Sequence, residues 1–403
     1  MTVLQDYAQF GGRHWETGSV HNYYAYRGVR APHTGKPYSE AFFLGVSGGI
    51  AMGYFTFSYQ GYDPQCNILT RNTFDPLDTL LSRLGVVQHV EQTALPQRAE
   101  SILLDTLADG PPAMVWADMW SLPYTGLVRD EAMWGAMPIL VFGVDRANGQ
   151  VLIADRAHVP LTVSIAELAA ARGRIKKDKH RLLTLEAPDT DKLAMAVRQG
   201  IQACINLFTE KPPKGQVTNF GLAAYRFWAE MLTNPKGRTS WAKVFPPGLD
   251  MYAGLTSAFS LGFLFGKGQA RDGERGLYAE FLEEAAVVLD KPALREAAAG
   301  FRASGEAWQG LGQALLPDRI EPFGQARRLM EQRHQAFLEL GNAGLTQRRE
   351  MDAQLAGLRT AVAKEFLLTE GEAGALREEI AAQVLRVHDL EAQALVALRG
   401  ALV

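Results

Sequence analysis

The hydrophobic pattern changes character near Asp189, and that change limits the possible folds more than any single motif. Before it, apolar residues come in short runs such as Ala113–Ala117, Pro138–Gly143 and Gln150–Ala154, separated by turn residues. Runs of that length predict strands, and Asp145–Gly149 between the last two predicts a hairpin. Helices are expected over Asp75–Leu84, Gln97–Leu107 and Leu161–Ala170. From Lys192 onward, apolar residues recur three and four positions apart, the period of a helix with one buried face. Helices are expected over Lys192–Phe208, Gly221–Leu232, Leu249–Phe265, Gly276–Leu289, Lys291–Leu315, Pro322–Leu340 and Thr346–Phe366. Thr369 and Glu372 form a capping box for a last helix running toward Leu398. The reading is α+β overall: an α/β unit first and an all-helical unit after it. The expected domains are 8–188, 189–318 and a helical extension at 319–403.

With 403 residues, 47% of them hydrophobic, the chain can fill two cores. A net charge of -3 and a pI near 6.3 do not suggest a global nucleic-acid surface. The basic run Arg174–Arg181 reads as a solvated face. Met251–Phe265 is too short and too interrupted for a membrane span, and the N-terminus is too polar for a signal peptide. The two cysteines, Cys66 in an expected loop and Cys204 on an apolar helix face, make no disulfide framework or metal cluster. A reducing, cytoplasmic location is expected, with no cofactor and no bound metal.

The stretch with most chemical promise is Gly11–Gly28, GGRHWETGSVHNYYAYRG. Two glycines permit a turn into a helix whose first N–H groups and dipole favour an anion. A thiolate nucleophile is stabilised at such a point, yet Trp15 stands there. His14, Glu16 and His21 are nearby acid/base candidates. Asp118 and Asp155 each end an apolar run, where an acid can orient a histidine or simply cap a turn. Trp120, Met133, Trp134 and Met137 add apolar surface suited to a pocket or an interface. The glycine-rich segment Gly45–Gly61 lacks the Lys-Ser/Thr pair of a phosphate loop and reads as a tight turn leading to a strand. Lys267, Arg271 and Arg275 could meet an anion, or be ordinary surface charge.

Several segments, in order, resemble the butirosin biosynthesis protein H family. They are HWET at His14–Thr17, SEAFFLGVSGGI at Ser39–Ile50, DMWSLPY at Asp118–Tyr124, MPILVFGVD at Met137–Asp145 and VLIAD at Val151–Asp155. The later YRFWAEMLTNP and GLYAEFLEEA segments resemble the helical domain that accompanies this N-terminal domain. The resemblance covers roughly residues 8–318. It implies a papain-like acyltransferase fold in which a Cys-His-Asp set moves an acyl group from a carrier-protein thioester to an amine. Carried over residue by residue, the Cys position falls on Trp15, the His position on Met137, and only Asp155 remains.

The resemblance therefore implies a catalytically degenerate member that binds a small molecule, a carrier-bound acyl group or a partner. His14, Glu16 and Asp155 are the candidate polar groups, and Trp15, His21, Asp118, Tyr124 and Met137 the pocket candidates. Two alternatives stay open: an amide- or ester-forming acyltransferase with non-cysteine chemistry, and a structural partner of an active paralogue. The expected partners are an acyl-carrier protein or active paralogue and a small molecule, with neither nucleic acid nor membrane. The apolar stripes of the last helices, Leu329/Phe337/Leu340, Leu355/Leu358/Val362/Phe366 and Val384/Leu385/Leu390, make homo-oligomerisation a further candidate.

Overall fold

The structure is a computed structural model that describes residues 2–128, 131–210, 218–264 and 271–402. In chain order the mixed part comprises β1 (Thr2–Val3), α1 (Trp15–Tyr26), α2 (Glu40–Val46), β2 (Ile50–Phe57), β3 (Gln65–Arg71), α3 (Pro76–Arg83) and β4 (Gln88–Glu91). It continues through α4 (Pro96–Ala108), β5 (Ala113–Asp118), β6 (Ala136–Asp145), β7 (Gln150–Ala154), β8 (Leu161–Ser164), α5 (Ile165–Gly173) and β9 (Leu182–Leu185). Then come α6 (Leu193–Thr209), α7 (Gly221–Thr233), α8 (Trp241–Val244), α9 (Leu249–Phe259), α10 (Arg275–Val288), α11 (Leu294–Leu315), α12 (Glu321–Leu340), α13 (Leu345–Lys364) and α14 (Glu370–Leu402). The α+β reading holds: a sheet-containing α/β region is followed by a mostly helical one. Two compact units result. The sheet unit comprises Met1–Phe43, Leu77–Leu193 and Arg333–Glu350; the helical unit comprises Leu44–Pro76, Ala194–Gln332 and Met351–Val403.

The sheet unit is built on seven antiparallel strands in the order β4-β9-β5-β6-β7-β8, with β1 also pairing with β6. The expected β6–β7 hairpin forms for a local reason. The Asp145 carboxylate accepts from the backbone N–H of Ala147 at 3.1 Å and from the Asn148 side chain at 2.7 Å, closing the turn. Gly149 supplies its left-handed residue, at φ 65°. Gly143, beside a bulge in the β6–β7 pairing, makes room for β1 by lacking a side chain, since a Cβ there would lie 2.8 Å from Val3. Helix α5 begins with a capping box between Ser164 and Glu167, and α1 lies against β6, with Ser19 Oγ donating to Pro138 O at 3.3 Å. Tyr23 and Tyr24 reach the far side of the core, where their hydroxyls bond the backbone of Leu185 and Glu186.

The helical unit pairs the β2–β3 hairpin with α6–α11, α14 and the larger parts of α12 and α13. Its centre is a buried ion pair. Glu391 of α14 accepts from Arg275 Nε at 2.6 Å, Tyr225 Oη at 2.7 Å, Ser304 Oγ at 3.0 Å and Trp308 Nε1 at 3.0 Å. The Arg275 guanidinium also donates to the carbonyls of Thr70 and Ala51, tying the hairpin to the helices. Arg275 is thus a core residue rather than an anion-binding surface charge. Arg271 is paired with Glu331 at 2.8 Å, and Lys267 lies outside the described residues. Cys66 stands on β3 instead of in a loop, and both cysteines are buried. Helix α9 ends earlier than expected and passes into a π-turn at Ser260–Leu264, where Gly262 lets Ile68 approach closely. The expected capping box of α14 is present, with Thr369 N–H on Glu372 at 2.8 Å and the reverse bond at 3.3 Å. Of the C-terminal stripes, Leu329, Phe337, Val362 and Val384 are buried within the chain, whereas Leu340 and Leu385 are exposed. Among the described residues, no helix is long and apolar enough to cross a membrane, and no group of three His, Cys, Asp or Glu residues is placed to hold a metal ion.

Candidate functional site

Helix α1 starts where the glycines allow it to. Gly11 and Gly12 have φ of 89° and 124°, and a Cβ on Gly12 would come within 2.9 Å of Gly18 Cα. Backbone and helix therefore touch at a point where no larger residue fits. Asn22 secures the turn by donating to Gly11 O at 2.8 Å. His14 is the N-cap residue, and its side chain makes no cap. The helix start is tied instead by a carboxylate from α2. Glu40 accepts from Arg13 N at 2.8 Å, His14 N at 2.9 Å and Thr17 Oγ1 at 2.9 Å. A negative group at this end answers the unpaired N–H groups and the positive end of the dipole.

Trp15 opens the helix and is only 4% exposed. The Arg156 guanidinium lies over its indole, 3.7 Å from the ring centroid, and 5.3 Å from the Phe337 ring. Arg156 also bonds Asp155 Oδ1 through its backbone N–H at 2.7 Å and through Nε at 3.4 Å. The other carboxylate oxygen accepts from Tyr124 Oη at 3.2 Å. Burial first, and then the neighbouring Asp155 charge, push the Tyr124 phenol well above its usual range, so it stays a protonated donor. Trp15, Asp155 and Tyr124, all buried, and the partly exposed Arg156 thus form one connected row.

The segment 333–350, from the ends of α12 and α13, closes this row from the side. Fully buried Arg348 donates to Tyr124 O at 2.7 Å, Thr125 O at 3.0 Å and Gly341 O at 3.1 Å. His158 N–H bonds Leu338 O at 2.7 Å, and Asn342 makes paired bonds with the backbone of Thr162 at 3.0 and 2.8 Å. Gly341, at φ 52°, sits where a Cβ would meet Leu161 at 2.8 Å.

Met137 is half-buried near the start of β6, opposite Ala117, and precedes the Pro138 carbonyl bonded by Ser19. Glu16 lies in the first turn of α1 and is partly exposed; His14 is buried beside Trp15. His21 Nδ1–H donates to Tyr38 O at 2.6 Å, on the connection to α2. Buried Asp118 accepts from Ser121 Oγ at 2.6 Å and Gly135 N at 2.9 Å and pairs with Arg174 at 3.1 Å, closing the loop between β5 and β6. The structure therefore joins Trp15, Tyr124 and Asp155, and engages His21 and Asp118 elsewhere. Sequence reasoning missed Glu40, Arg156, Phe337 and Arg348 as parts of this arrangement. Glu40 alone carried a signal, as the acid of the Ser-Glu pair.

Chemically, the row offers a phenol, a carboxylate and a guanidinium, with an indole at the helix start. Neither cysteine belongs to the sheet unit. Burial pushes the Cys204 thiol up to about 12 and raises Cys66 as well, so neither is a thiolate at neutral pH. No curated protein matches the chain. Residues 14–156 match the family described as Butirosin biosynthesis protein H, N-terminal, an interval that runs from the N-cap of α1 through Arg156. This N-terminal stretch is therefore similar to a butirosin biosynthesis protein H-like N-terminal domain, a biosynthesis-related family.

Proposed function

We propose that this protein is a catalytically degenerate acyltransferase-like protein that acts in a biosynthetic setting by binding, not by acyl transfer. The observation that carries the reading is the state of the α1 start. Trp15 is buried there under the Arg156 guanidinium, at the position where the papain-like resemblance puts the thiol. An indole cannot attack a thioester, and Met137 at the histidine position cannot accept a proton. Both losses belong together, since a missing nucleophile leaves no work for its base. Asp155 keeps a role by holding Arg156 and Tyr124. A largely buried row of this kind favours recognition of a carrier protein or an active paralogue over enclosure of a free acyl chain at Trp15.

The test is native mass spectrometry and thermal-shift screening against acyl-carrier proteins and aminoglycoside-like amines, with product analysis of the same mixtures. Binding without product is expected. Turnover abolished by Glu16→Ala or His14→Ala would replace this reading with an acyltransferase of altered chemistry.

A further inference from the structure

A second site stands out in the sheet unit, away from the row around Trp15. Two clefts of about 120 and 510 Å³ are both lined by Pro96, Ala169, Arg172 and His180. The smaller runs between α4 and α5 over Leu103, Val144 and Leu168 and is mostly apolar; the larger is edged by the exposed Lys176 and Lys179. Where they meet, Arg172 is 4% exposed. Its Nη2 donates to the His180 carbonyl at 2.6 Å, while Nε has no acceptor among the described residues. Among the described residues, no carboxylate pairs with its charge. The one acid lining these clefts, Glu100, is paired with Arg146 at 2.9 Å. Desolvation accordingly draws the guanidinium down to about 10. A buried cation without a counter-charge is costly.

The same spot is the N-terminus of α4. Pro96 is in its first turn, the N-cap Leu95 has no side-chain acceptor to offer, and the first turn holds no acid. That helix end therefore presents its free N–H groups and positive dipole without an internal anion. The loop that carries the lysines is held in place. Thr93 N–H bonds Lys179 O at 2.8 Å, and Lys179 and His180 both adopt left-handed φ, 47° and 48°. His180 rests on Gly173, where a Cβ would come 3.2 Å from its ring.

We infer that this cleft binds the phosphoryl group of a small phosphorylated molecule. Arg172 grips the oxyanion from below, the α4 N-terminus faces it, and Lys176 and Lys179 close the mouth. Three cations and a helix start suit a dianion better than a single carboxylate. The 120 Å³ branch takes a short apolar substituent, the space of about four waters at ~30 Å³ each. The basic run Arg174–Arg181 then supplies part of a small-molecule site instead of a merely solvated face.

The test uses isothermal titration of the intact chain with inorganic phosphate, butyl phosphate and butyrate at constant ionic strength. Saturable binding of both phosphates is expected, with butyl phosphate the tighter and butyrate weaker than either. Arg172→Gln should weaken phosphate binding at least ~10-fold through loss of a charge-assisted bond. The exposed double variant Lys176→Ala/Lys179→Ala should weaken it several-fold without affecting folding, so the inference stays testable should Arg172→Gln not fold. Butyrate binding as tightly as butyl phosphate would overturn the phosphoryl assignment. An absence of saturable phosphate binding, or affinity unchanged in the double-lysine variant, would overturn the site.

Discussion

Removing the Glu40 carboxylate should loosen the start of α1 selectively. In Glu40→Ala the N–H groups of Arg13 and His14 and the Thr17 hydroxyl lose their acceptor at 2.8–2.9 Å. A hydrogen bond to a charged group contributes about 1.5–3 kcal/mol, and loss of a helix cap alone costs about 0.5–2 kcal/mol. The three bonds share one carboxylate and are not additive, and water reaches part of the vacated space. A net loss of about 2–4 kcal/mol follows, equivalent to exchange about 30- to 700-fold faster. Hydrogen exchange read by mass spectrometry on peptides covering residues 11–26 measures this locally, without assuming that the whole chain unfolds in one step. Glu40→Gln, which keeps a neutral acceptor, should fall between. An Ala variant whose peptides there exchange within ~3-fold of the parent would refute the reasoning, as would acceleration spread evenly over the sheet unit.

Other outcomes follow from the same geometry. Glu391→Ala strands Arg275 in the helical core and should lower urea stability of that unit by about 3–5 kcal/mol, with partial recovery when Arg275→Met is added; equal stability of the single variant would contradict it. Arg156→Ala uncovers Trp15, so acrylamide quenching should increase in this variant but not when Trp15→Phe is also present. Cys66 and Cys204 should resist iodoacetamide at pH 8 in the native chain and react once it is denatured. The Thr369 bonds hold Glu372 below its usual carboxylate range. Its capping contribution is complete above the ordinary glutamate pKa and is lost as pH falls from there through the depressed folded value. The first turn of α14 should therefore fray in acid before the helix centre does, as amide exchange across that window would show.

The parts of the fold legible in the sequence are those decided by local chemistry. The 145–149 turn is written in an aspartate, an asparagine and a glycine, and α14 begins at a Thr-x-x-Glu box. The long helices announce themselves by their apolar period. What could not be read is which distant segments meet. Residues 44–76 belong to the helical unit and residues 333–350 to the sheet unit. In the latter case the binding is done by Arg348 and Asn342 on backbone carbonyls and amides, a contact that leaves no periodic trace. Strand β3 was hidden because its buried residues, Cys66, Ile68 and Thr70, are too mixed to stand out. The same limit applies to the site. Trp15 at a helix start was readable from GGRHWET. Its cover by Arg156, which itself lies near the Phe337 ring, depends on side chains far away in sequence. Asp118 looked like a second strand-end acid of equal promise, and only its bonds to Ser121, Gly135 and Arg174 mark it as a loop anchor.

The central claim is that the α1 start has lost covalent chemistry while the scaffold around it persists. Intact-protein mass spectrometry after incubation with an acyl-pantetheine thioester, with and without an amine acceptor, tests it most directly. The account predicts an unmodified mass and no amide product. An acyl adduct mapped to residues 13–17, or acyl transfer to the amine at a rate above the uncatalysed background, would contradict it.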